Sequence, residues 1–224
     1  MSAFTEEQIE RRREEREALC KSLRSKGIWH TRTLRAIESV PRELFLEEEM
    51  KPHAYVDNAL PIDCRQTISQ PFTVAYMTQL LNVKEGEKAL EIGTGSGYQA
   101  AVLSALGAKV YSVERFERLY KKTSEFLKSF GLDVEVKLGD GTLGWEENAP
   151  YDKIIVTAAA PGPPPSLFRQ LKIGGRMVIP IGGKKIQRMH ALNKISETHY
   201  RAEKYDSFKF VPLVGEEGWH EDEL

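Results

Sequence analysis

The second half of the chain alternates between short apolar runs and amphipathic stretches. Apolar runs of strand length occupy residues 88–92, 109–113, 134–138, 153–158 and 175–180. Helical stretches separate most of these runs, around residues 97–106, 116–130 and 164–171. Strands that alternate with helices in this way form parallel pairs joined by right-handed crossovers. The pattern therefore predicts an α/β fold with a doubly wound, Rossmann-like sheet.

The first part of the chain is dominated by charged residues. Residues 5–26 alternate acids and bases at helical spacing, as in Glu10 and Arg13, and we expect a solvated helical arm there. A second short helix is expected over residues 31–40, because the residue before a proline disfavours helix. Residues 41–71 contain several prolines and are expected to be irregular.

The end of the chain follows a third pattern. Apolar runs near 186–195 and 206–213 have no helical stretch between them, which indicates antiparallel strands added to the sheet edge. No internal repeat or low-complexity linker interrupts the chain. We therefore predict an N-terminal helical arm and substrate-side lobe over residues 1–70, which does not fold independently. Residues 71–224 are predicted to form the core, with C-terminal strands that cover the substrate.

Composition and charge limit the kinds of binding partner and the cellular compartment that we expect for the protein. The 224 residues are 41% hydrophobic and 29% charged, as in ordinary globular proteins, and the net charge is −1. This balance, without a basic and aromatic patch, favours neither nucleic acid nor a membrane as partner. Cys20 and Cys64 lack metal-ligand spacing, and we find no secretory signal or membrane-spanning run. We expect a cytoplasmic protein without a metal site or disulfide.

The most specific motif is a glycine turn after the first apolar run. Residues 89–97 read Ala-Leu-Glu-Ile-Gly-Thr-Gly-Ser-Gly, and glycines there let the backbone approach a ligand closely. Glu114 ends the next run, where such folds bind ribose hydroxyls. The spacing is not that of dinucleotide binders, and Glu91 ahead of the glycines favours a ligand with positive charge. These features predict S-adenosylmethionine as ligand and methyl transfer as the chemistry.

Two further turns are expected to join this site. Ligands of open α/β sheets bind outside the carboxyl ends of the strands. This rule brings the Gly139-Asp140-Gly141 turn and the loop 158–161 next to the glycine turn. Asp140 is expected to contact the adenine, although an Asp between two glycines is also a common turn residue.

The loop 158–161 contains no side chain that could act as a nucleophile or base, and this indicates the kind of methyl acceptor. Three alanines and a proline offer no nucleophile or base, so we expect an acceptor that needs none. A carboxylate is ionised at neutral pH, since its usual pKa is near 4. Residues 66–71, Gln-Thr-Ile-Ser-Gln-Pro, are the best candidate to hold it. Ser69 is predicted to be the N-cap of a following helix, whose first N–H groups form an anion site.

These segments, together with Gly174-Gly175-Arg176, resemble the protein-L-isoaspartate O-methyltransferase family, from about Pro41 to Gly218. The resemblance implies a class I S-adenosylmethionine-dependent methyltransferase fold, with that molecule as methyl donor. It implies that the acceptor is the free α-carboxylate of L-isoaspartyl residues in damaged proteins and peptides. The resemblance implies that the ester then closes to a succinimide, and that hydrolysis of the succinimide yields some normal aspartate. The implied function is protein repair. The resemblance also suggests a monomer.

The resemblance assigns roles by position. Ser69 matches the active-site serine. The donor site is assigned to Gln66, Thr67, Ile68, Glu91, Gly93, Gly95, Gly97, Glu114, Arg115, Asp140 and Gly141. Substrate contacts are assigned to Ser69, Val74, Val211 and Val214, the last two by pairing with the substrate backbone.

One residue departs from the family pattern. Arg65 stands where the family usually has glycine. If the backbone there has a positive φ, an arginine costs about 1 kcal/mol or more. It could instead add positive charge beside an acidic substrate, or be a surface residue in a tolerant loop.

Two other functions compete with this assignment. The first is a methyltransferase of the same fold that acts on a small-molecule carboxylate or on nucleic acid. The second is a protein that binds the donor but has lost catalysis and acts as a sensor or adaptor. The complete segment 66–71 and the complete glycine turn both argue against the second.

Overall fold

The computed structural model describes residues 6–223. Residues 1–5 of the predicted N-terminal region and residue 224 of the predicted core lie outside the described residues. The helices are α1 (Glu6–Ser25), α2 (Thr31–Ser39), α3 (Pro71–Leu81), α4 (Tyr98–Ala105), α5 (Glu117–Ser129) and α6 (Pro165–Gln170). The strands are β1 (Leu60–Pro61), β2 (Thr67–Ile68), β3 (Lys88–Ile92), β4 (Lys109–Glu114), β5 (Val134–Leu138), β6 (Tyr151–Val156), β7 (Leu171–Gly182), β8 (Gln187–Lys194) and β9 (Tyr200–Phe208). Within this range no helix is both long enough and apolar enough to cross a bilayer.

Seven strands form the main sheet in the order β5-β4-β3-β6-β7-β8-β9. The first five of these pair in parallel, whereas β8 and β9 are antiparallel to their neighbours. The chain moves outward from β3 in one direction and from β6 in the other, so the strand order reverses between these two strands. The doubly wound sheet with added antiparallel strands is therefore confirmed. The reversal is where open α/β sheets bind ligands.

The predicted strand at 206–213 is wrong in its position. The last strand, β9, ends at Phe208, and the following residues leave the sheet edge. They cross the carboxyl ends of the strands, where Ala159 N–H donates to Val211 C=O at 2.8 Å and Leu213 N–H donates to Ala159 C=O at 2.8 Å. The apolar residues at 211–214 therefore cover the strand ends and do not extend the sheet.

Helix α1 is only partly the solvated arm that its charges predict. Its first half carries exposed ion pairs such as Arg11 with Glu15 at 3.1 Å. In its second half, Leu19 and Leu23 are buried one turn apart against the rest of the fold. Residues at i and i+4 lie on the same face of a helix, so Leu19 and Leu23 pack on one side of α1. A single buried cluster thus joins the N-terminal region to the sheet core.

The remainder of the N-terminal region consists of short elements. The second helix is confirmed as α2, which ends before Pro41. Residues 41–71, expected to be irregular, contain three short 3₁₀ turns and the antiparallel pair β1–β2. This pair carries residues 67–68 to the open end of the main sheet, directly ahead of α3.

Candidate active site

The glycine turn lies between β3 and α4 and is tightly packed. Gly93 has φ 94°, and a Cβ there would lie 2.5 Å from the Thr157 hydroxyl oxygen. Gly97 has φ 86°, and a Cβ would lie 2.8 Å from a methyl group of Thr123. The same threonines donate hydrogen bonds to the turn, Thr157 to Gly93 C=O at 2.8 Å and Thr123 to Gly95 C=O at 2.7 Å. Side chains are therefore excluded from these positions and the backbone is held in place.

Glu114, at the end of β4, fixes the other side of the turn. Its side chain is almost fully buried, with 4% of the residue exposed. One oxygen accepts from Gly95 N–H at 2.9 Å and the other from Phe116 N–H at 2.9 Å. Each carboxylate oxygen keeps a further lone pair, which leaves Glu114 able to accept hydrogen bonds from a ligand.

A cavity of about 320 Å³ opens beside Glu114 at the point where the strand order reverses. It is bounded by the ends of β3, β4 and β6, by residues 65–67 and by residues 211–214. Of the residues predicted for the site, those that line it are Gln66, Thr67, Gly93, Gly95, Glu114, Arg115, Gly141, Val211 and Val214. We call this the main cavity.

A smaller cavity of about 50 Å³ adjoins the main cavity. The predicted residues Ile68, Ser69, Val74 and Glu91 line it. The two cavities share the residues Thr67, Gly93, Gly95 and Thr157. The predicted acceptor residues and the predicted donor turn therefore meet at one wall.

Glu91 is a fully buried carboxylate on β3. One of its oxygens accepts from the Ser112 hydroxyl at 2.5 Å, and Ser112 is in turn hydrogen-bonded to Thr94 at 2.7 Å. The other oxygen has no partner among the described residues. Burial raises the pKa of Glu91 to about 8; the Ser112 hydrogen bond opposes this shift and the charge of Glu114 adds to it. In the ligand-free protein this group is therefore mainly protonated at neutral pH, and a cationic ligand group beside its unused oxygen would favour the ionised form.

The prediction that Ser69 caps helix α3 is wrong. The N-cap residue is Gln70, and the cap is supplied from further away by Asp57, whose carboxylate accepts from Phe72 N–H at 2.7 Å. The Ser69 hydroxyl makes no hydrogen bond within residues 6–223. Because Asp57 takes over the capping role, this hydroxyl is available to a ligand.

Asp140 is placed differently from the other donor-site candidates. Its carboxylate accepts from Thr142 N–H at 2.8 Å and from Glu216 N–H at 2.7 Å. It faces a neighbouring open cavity together with Arg115 and Val214. Of the turn at residues 139–141, only Gly141 lines the main cavity. Asp140 is thus a turn residue that also anchors the C-terminal segment, and its contact with adenine stays a prediction. Gly97 lines neither cavity and acts through the turn geometry.

Arg65 has the backbone conformation on which its predicted cost depends. Its φ is 57°, and that of Cys64 before it is 58°, so two successive non-glycine residues are left-handed. The turn is held down by Asp63, which pairs with Arg118 at 2.8 Å and with Lys122 at 3.1 Å. Arg65 itself is exposed at the rim of the main cavity.

Several residues of the site carry no clear signal in the sequence. Thr157 lines both cavities, and only its position directly after an apolar run could have indicated it. Ser112 lies inside the apolar run of β4, where a serine is easily taken for a tolerated core residue. Asp57 lies in the irregular region, far from the helix it caps. Among residues 6–223, no three His, Cys, Asp or Glu side chains are grouped as a metal site would require.

Comparison with known proteins decides the family. A family model described as Protein-L-isoaspartate(D-aspartate) O-methyltransferase (PCMT) matches residues 14–218. The chain belongs to this family. The protein-L-isoaspartate O-methyltransferase of Chlorobaculum tepidum is 51% identical over 207 residues, which is 92% of this chain and 96% of that protein. The enzyme of that name from Christiangramia forsetii is 50% identical over 200 residues, 89% of this chain and 93% of that protein.

Solved structures agree with this result. A structure named protein-L-isoaspartate O-methyltransferase superposes with a TM-score of 0.82 at 30% identity, over 91% of this chain and 67% of that one. A Plasmodium falciparum protein, described as a putative enzyme of this kind in complex with S-adenosyl-L-homocysteine, shares the fold (TM-score 0.77, 24% identity, 88% and 97% coverage). The resemblance and the class I methyltransferase fold predicted from the sequence are confirmed. The chain is an S-adenosylmethionine-dependent O-methyltransferase.

Replacing Arg65 by glycine is expected to stabilise the enzyme. Glycine removes the penalty of a left-handed residue, about 1–2 kcal/mol, and loses part of this gain through the greater freedom of the unfolded chain. We expect Arg65→Gly to raise the free energy of unfolding by about 0.5–1 kcal/mol. Arg65→Ala, which keeps the strained backbone, is the matched control and should show no gain in urea unfolding. Equal stability of the two variants would show that the turn is not strained.

Glu91 is expected to make the stability of the ligand-free enzyme depend on pH. Because its pKa is raised from 4.5 to about 8 in the fold, the folded state holds a proton that the unfolded chain has released. This contribution is complete below about pH 4.5 and is lost as the pH rises through 8. Between pH 6 and pH 8 the wild type should lose about 2 kcal/mol more than Glu91→Gln. Identical pH dependence of the two proteins in urea unfolding would contradict the assignment.

Proposed function

We propose that the enzyme methylates the free α-carboxylate of L-isoaspartyl residues, with Ser69 holding that carboxylate against the wall shared by the two cavities. Family membership supports the reaction. The observation that carries the residue assignment is that a free serine hydroxyl lines one cavity and Glu114 lines the other. The main cavity then takes the donor, and the smaller one takes the reacting end of the substrate.

The main cavity fits S-adenosylmethionine in shape and charge. The close-packed glycine turn lets backbone form one wall, and Glu114 offers acceptor lone pairs for ribose hydroxyls. Glu91 borders the smaller cavity next to the shared wall, and we propose that its unused oxygen pairs with a cationic part of the donor where the two cavities meet. When bound, the donor supplies an electrophilic methyl group, and its carbon–sulfur bond breaks as a carboxylate oxygen–carbon bond forms, leaving S-adenosylhomocysteine and the methyl ester.

The chain's own part in the reaction is to bind and orient the acceptor. No base is required, because the acceptor carboxylate is already ionised at neutral pH. The Ser69 hydroxyl donates a hydrogen bond to one carboxylate oxygen and leaves the other free to attack. Holding two reactants in line in this way supplies much of the acceleration of a transfer reaction.

The substrate backbone is proposed to pair with residues 211–214. One edge of this segment is paired with Ala159. On the other edge, Pro212 C=O and Val214 N–H have no hydrogen-bond partner in the described part of the chain. An extended peptide can add to such an edge as a strand. Val211 and Val214, which line the main cavity, would then contact the residues around the isoaspartyl group.

Methylation changes the fate of the damaged residue. The carbonyl of a methyl ester is attacked more readily than that of a carboxylate, so the neighbouring backbone nitrogen closes a succinimide on it and methanol leaves. Hydrolysis of the succinimide returns part of the product to normal aspartate. The activity is therefore a repair of isoaspartyl damage.

The remaining predictions concern organisation and surroundings. We infer that residues 1–70 are not an independent domain, which the buried cluster shared with the sheet core supports. We also infer a cytoplasmic monomer without nucleic acid or membrane partners. The free thiols of Cys20 and Cys64 are consistent with a reducing compartment.

Replacing Ser69 or Glu114 by alanine, one at a time, should separate effects on the acceptor from effects on donor binding. Ser69→Ala is expected to lower turnover of an isoaspartyl peptide and to leave the donor Kd nearly unchanged. Glu114→Ala is expected to weaken donor binding by roughly 1.5–3 kcal/mol, about 10- to 150-fold, because it removes hydrogen bonds to a charged group. Steady-state kinetics and calorimetry measure the two effects, with a twin peptide containing aspartate as the control for selectivity. A collapse of donor affinity in Ser69→Ala, or equal methylation of both peptides, would contradict the assignment.

A further inference from the structure

Arg42 is a fully buried arginine beneath the segment that carries Ser69. It begins the 3₁₀ turn Arg42–Phe45 and has 0% of its surface exposed. One terminal nitrogen of its guanidinium donates to Ser69 C=O at 2.8 Å. The other terminal nitrogen and Nε have no partner among the described residues. The guanidinium lies 4.9 Å from the centre of the Tyr98 ring.

The nearby acids do not form ion pairs with this cation. Glu43 is hydrogen-bonded by Tyr55 and lies 3.9 Å from Arg16. Asp57 pairs with Lys26 at 2.6 Å and caps α3. Burial lowers the pKa of Arg42 to about 10, which still leaves it charged at neutral pH. A buried cation that has one carbonyl and one aromatic ring beside it, but no ion pair among the described residues, is costly for folding, so stability alone does not account for its presence.

The location of Arg42 connects the two halves of the site. Its hydrogen-bond acceptor, Ser69, lies on the acceptor segment, and its stacking partner, Tyr98, is the first residue of α4 directly after the glycine turn. Ser69 and Tyr98 both line the smaller cavity. The hydrogen bond to Ser69 C=O therefore fixes the acceptor segment relative to the donor turn.

We propose that Arg42 is a positioning residue for methyl transfer: it holds the Ser69 backbone so that the hydroxyl faces the acceptor carboxylate, and its unpaired positive charge attracts that carboxylate. The inference rests on the proposed role of Ser69. Arg42 itself lines neither cavity, so this attraction acts through space and not by direct contact with the substrate.

The test replaces Arg42 by methionine, a side chain of similar length without charge or donor. Thermal unfolding of Arg42→Met should occur close to the wild-type temperature, because removal of a costly buried cation offsets the loss of its hydrogen bond to Ser69 C=O. Its kcat/KM for an isoaspartyl peptide should fall at least 10-fold, with a lower kcat and a higher peptide KM, while the donor Kd changes less than 2-fold. Arg42→Lys, which keeps a cation and a donor, should recover part of kcat/KM.

Matched controls separate this role from a structural one. Lys194→Met removes another buried cation, one that pairs with Glu197 at 2.8 Å at the end of β8, and should leave kcat/KM within 2-fold of the wild type. The proposal is overturned if Arg42→Met keeps wild-type kcat/KM, if donor affinity falls in step with activity, or if Arg42→Lys is no better than Arg42→Met. Should Arg42→Met not fold, Arg42→Lys decides: a 3-fold or greater loss of kcat/KM at unchanged donor Kd supports the proposal, and no loss overturns it.

The same experiment distinguishes failure of this inference from failure of the proposed function. Wild type and Ser69→Ala are measured alongside. If the wild type does not methylate the isoaspartyl peptide, the proposed function is wrong. If it does, and Ser69→Ala is impaired while Arg42→Met is not, only the role of Arg42 is wrong.

Discussion

The turn at residues 93–97 contains buried backbone groups that neither β3 nor α4 can pair, and side chains from three neighbouring elements provide their partners. Glu114 accepts from Gly95 N–H, Thr123 donates to Gly95 C=O, and Thr157 donates to Gly93 C=O. Buried backbone groups without partners cost free energy comparable to lost hydrogen bonds. The ends of β4 and β6 and helix α5 are therefore tied to one turn, and the main cavity is the space left between them.

The smaller cavity, proposed for the acceptor, shares this turn as a wall, and several polar groups around it have no hydrogen-bond partner among the described residues. The Ser69 hydroxyl, one oxygen of Glu91, two nitrogens of Arg42 and the Tyr98 hydroxyl have no partners in the described structure. Elsewhere in the core such groups are satisfied, as at Ser112. Proteins tend to break local rules of this kind where they bind or react. The unsatisfied groups lie around the place where a carboxylate and a cationic donor have to meet.

Much of the fold was predictable because the signals are local, and the candidate donor residues that line the main cavity were marked in the same way. Buried parallel strands are continuous apolar runs, and the glycine turn and Glu114 are marked by their position at strand ends. The family usually has glycine at position 65, and this suggested the left-handed backbone that Arg65 adopts.

The rest of the site depends on contacts between distant segments. Ser69 looked like a helix cap because its neighbours resemble one, but Asp57 from the irregular region takes that role. The run near 206–213 read as a strand of the sheet edge, although its last residues pair with the loop at Ala159 across the strand ends. Asp140 binds Glu216 N–H in that same C-terminal segment. No local pattern records these long-range pairings.

A crystal structure of the enzyme with S-adenosylhomocysteine and an isoaspartyl peptide would test this account most directly. We expect a carboxylate oxygen of the isoaspartyl residue at hydrogen-bond distance from the Ser69 hydroxyl, about 2.7 Å. We expect the ribose hydroxyls on Glu114 and the peptide backbone paired with residues 211–214. A carboxylate bound away from Ser69, or a ribose that does not reach Glu114, would contradict the division of the site into a donor cavity and an acceptor cavity.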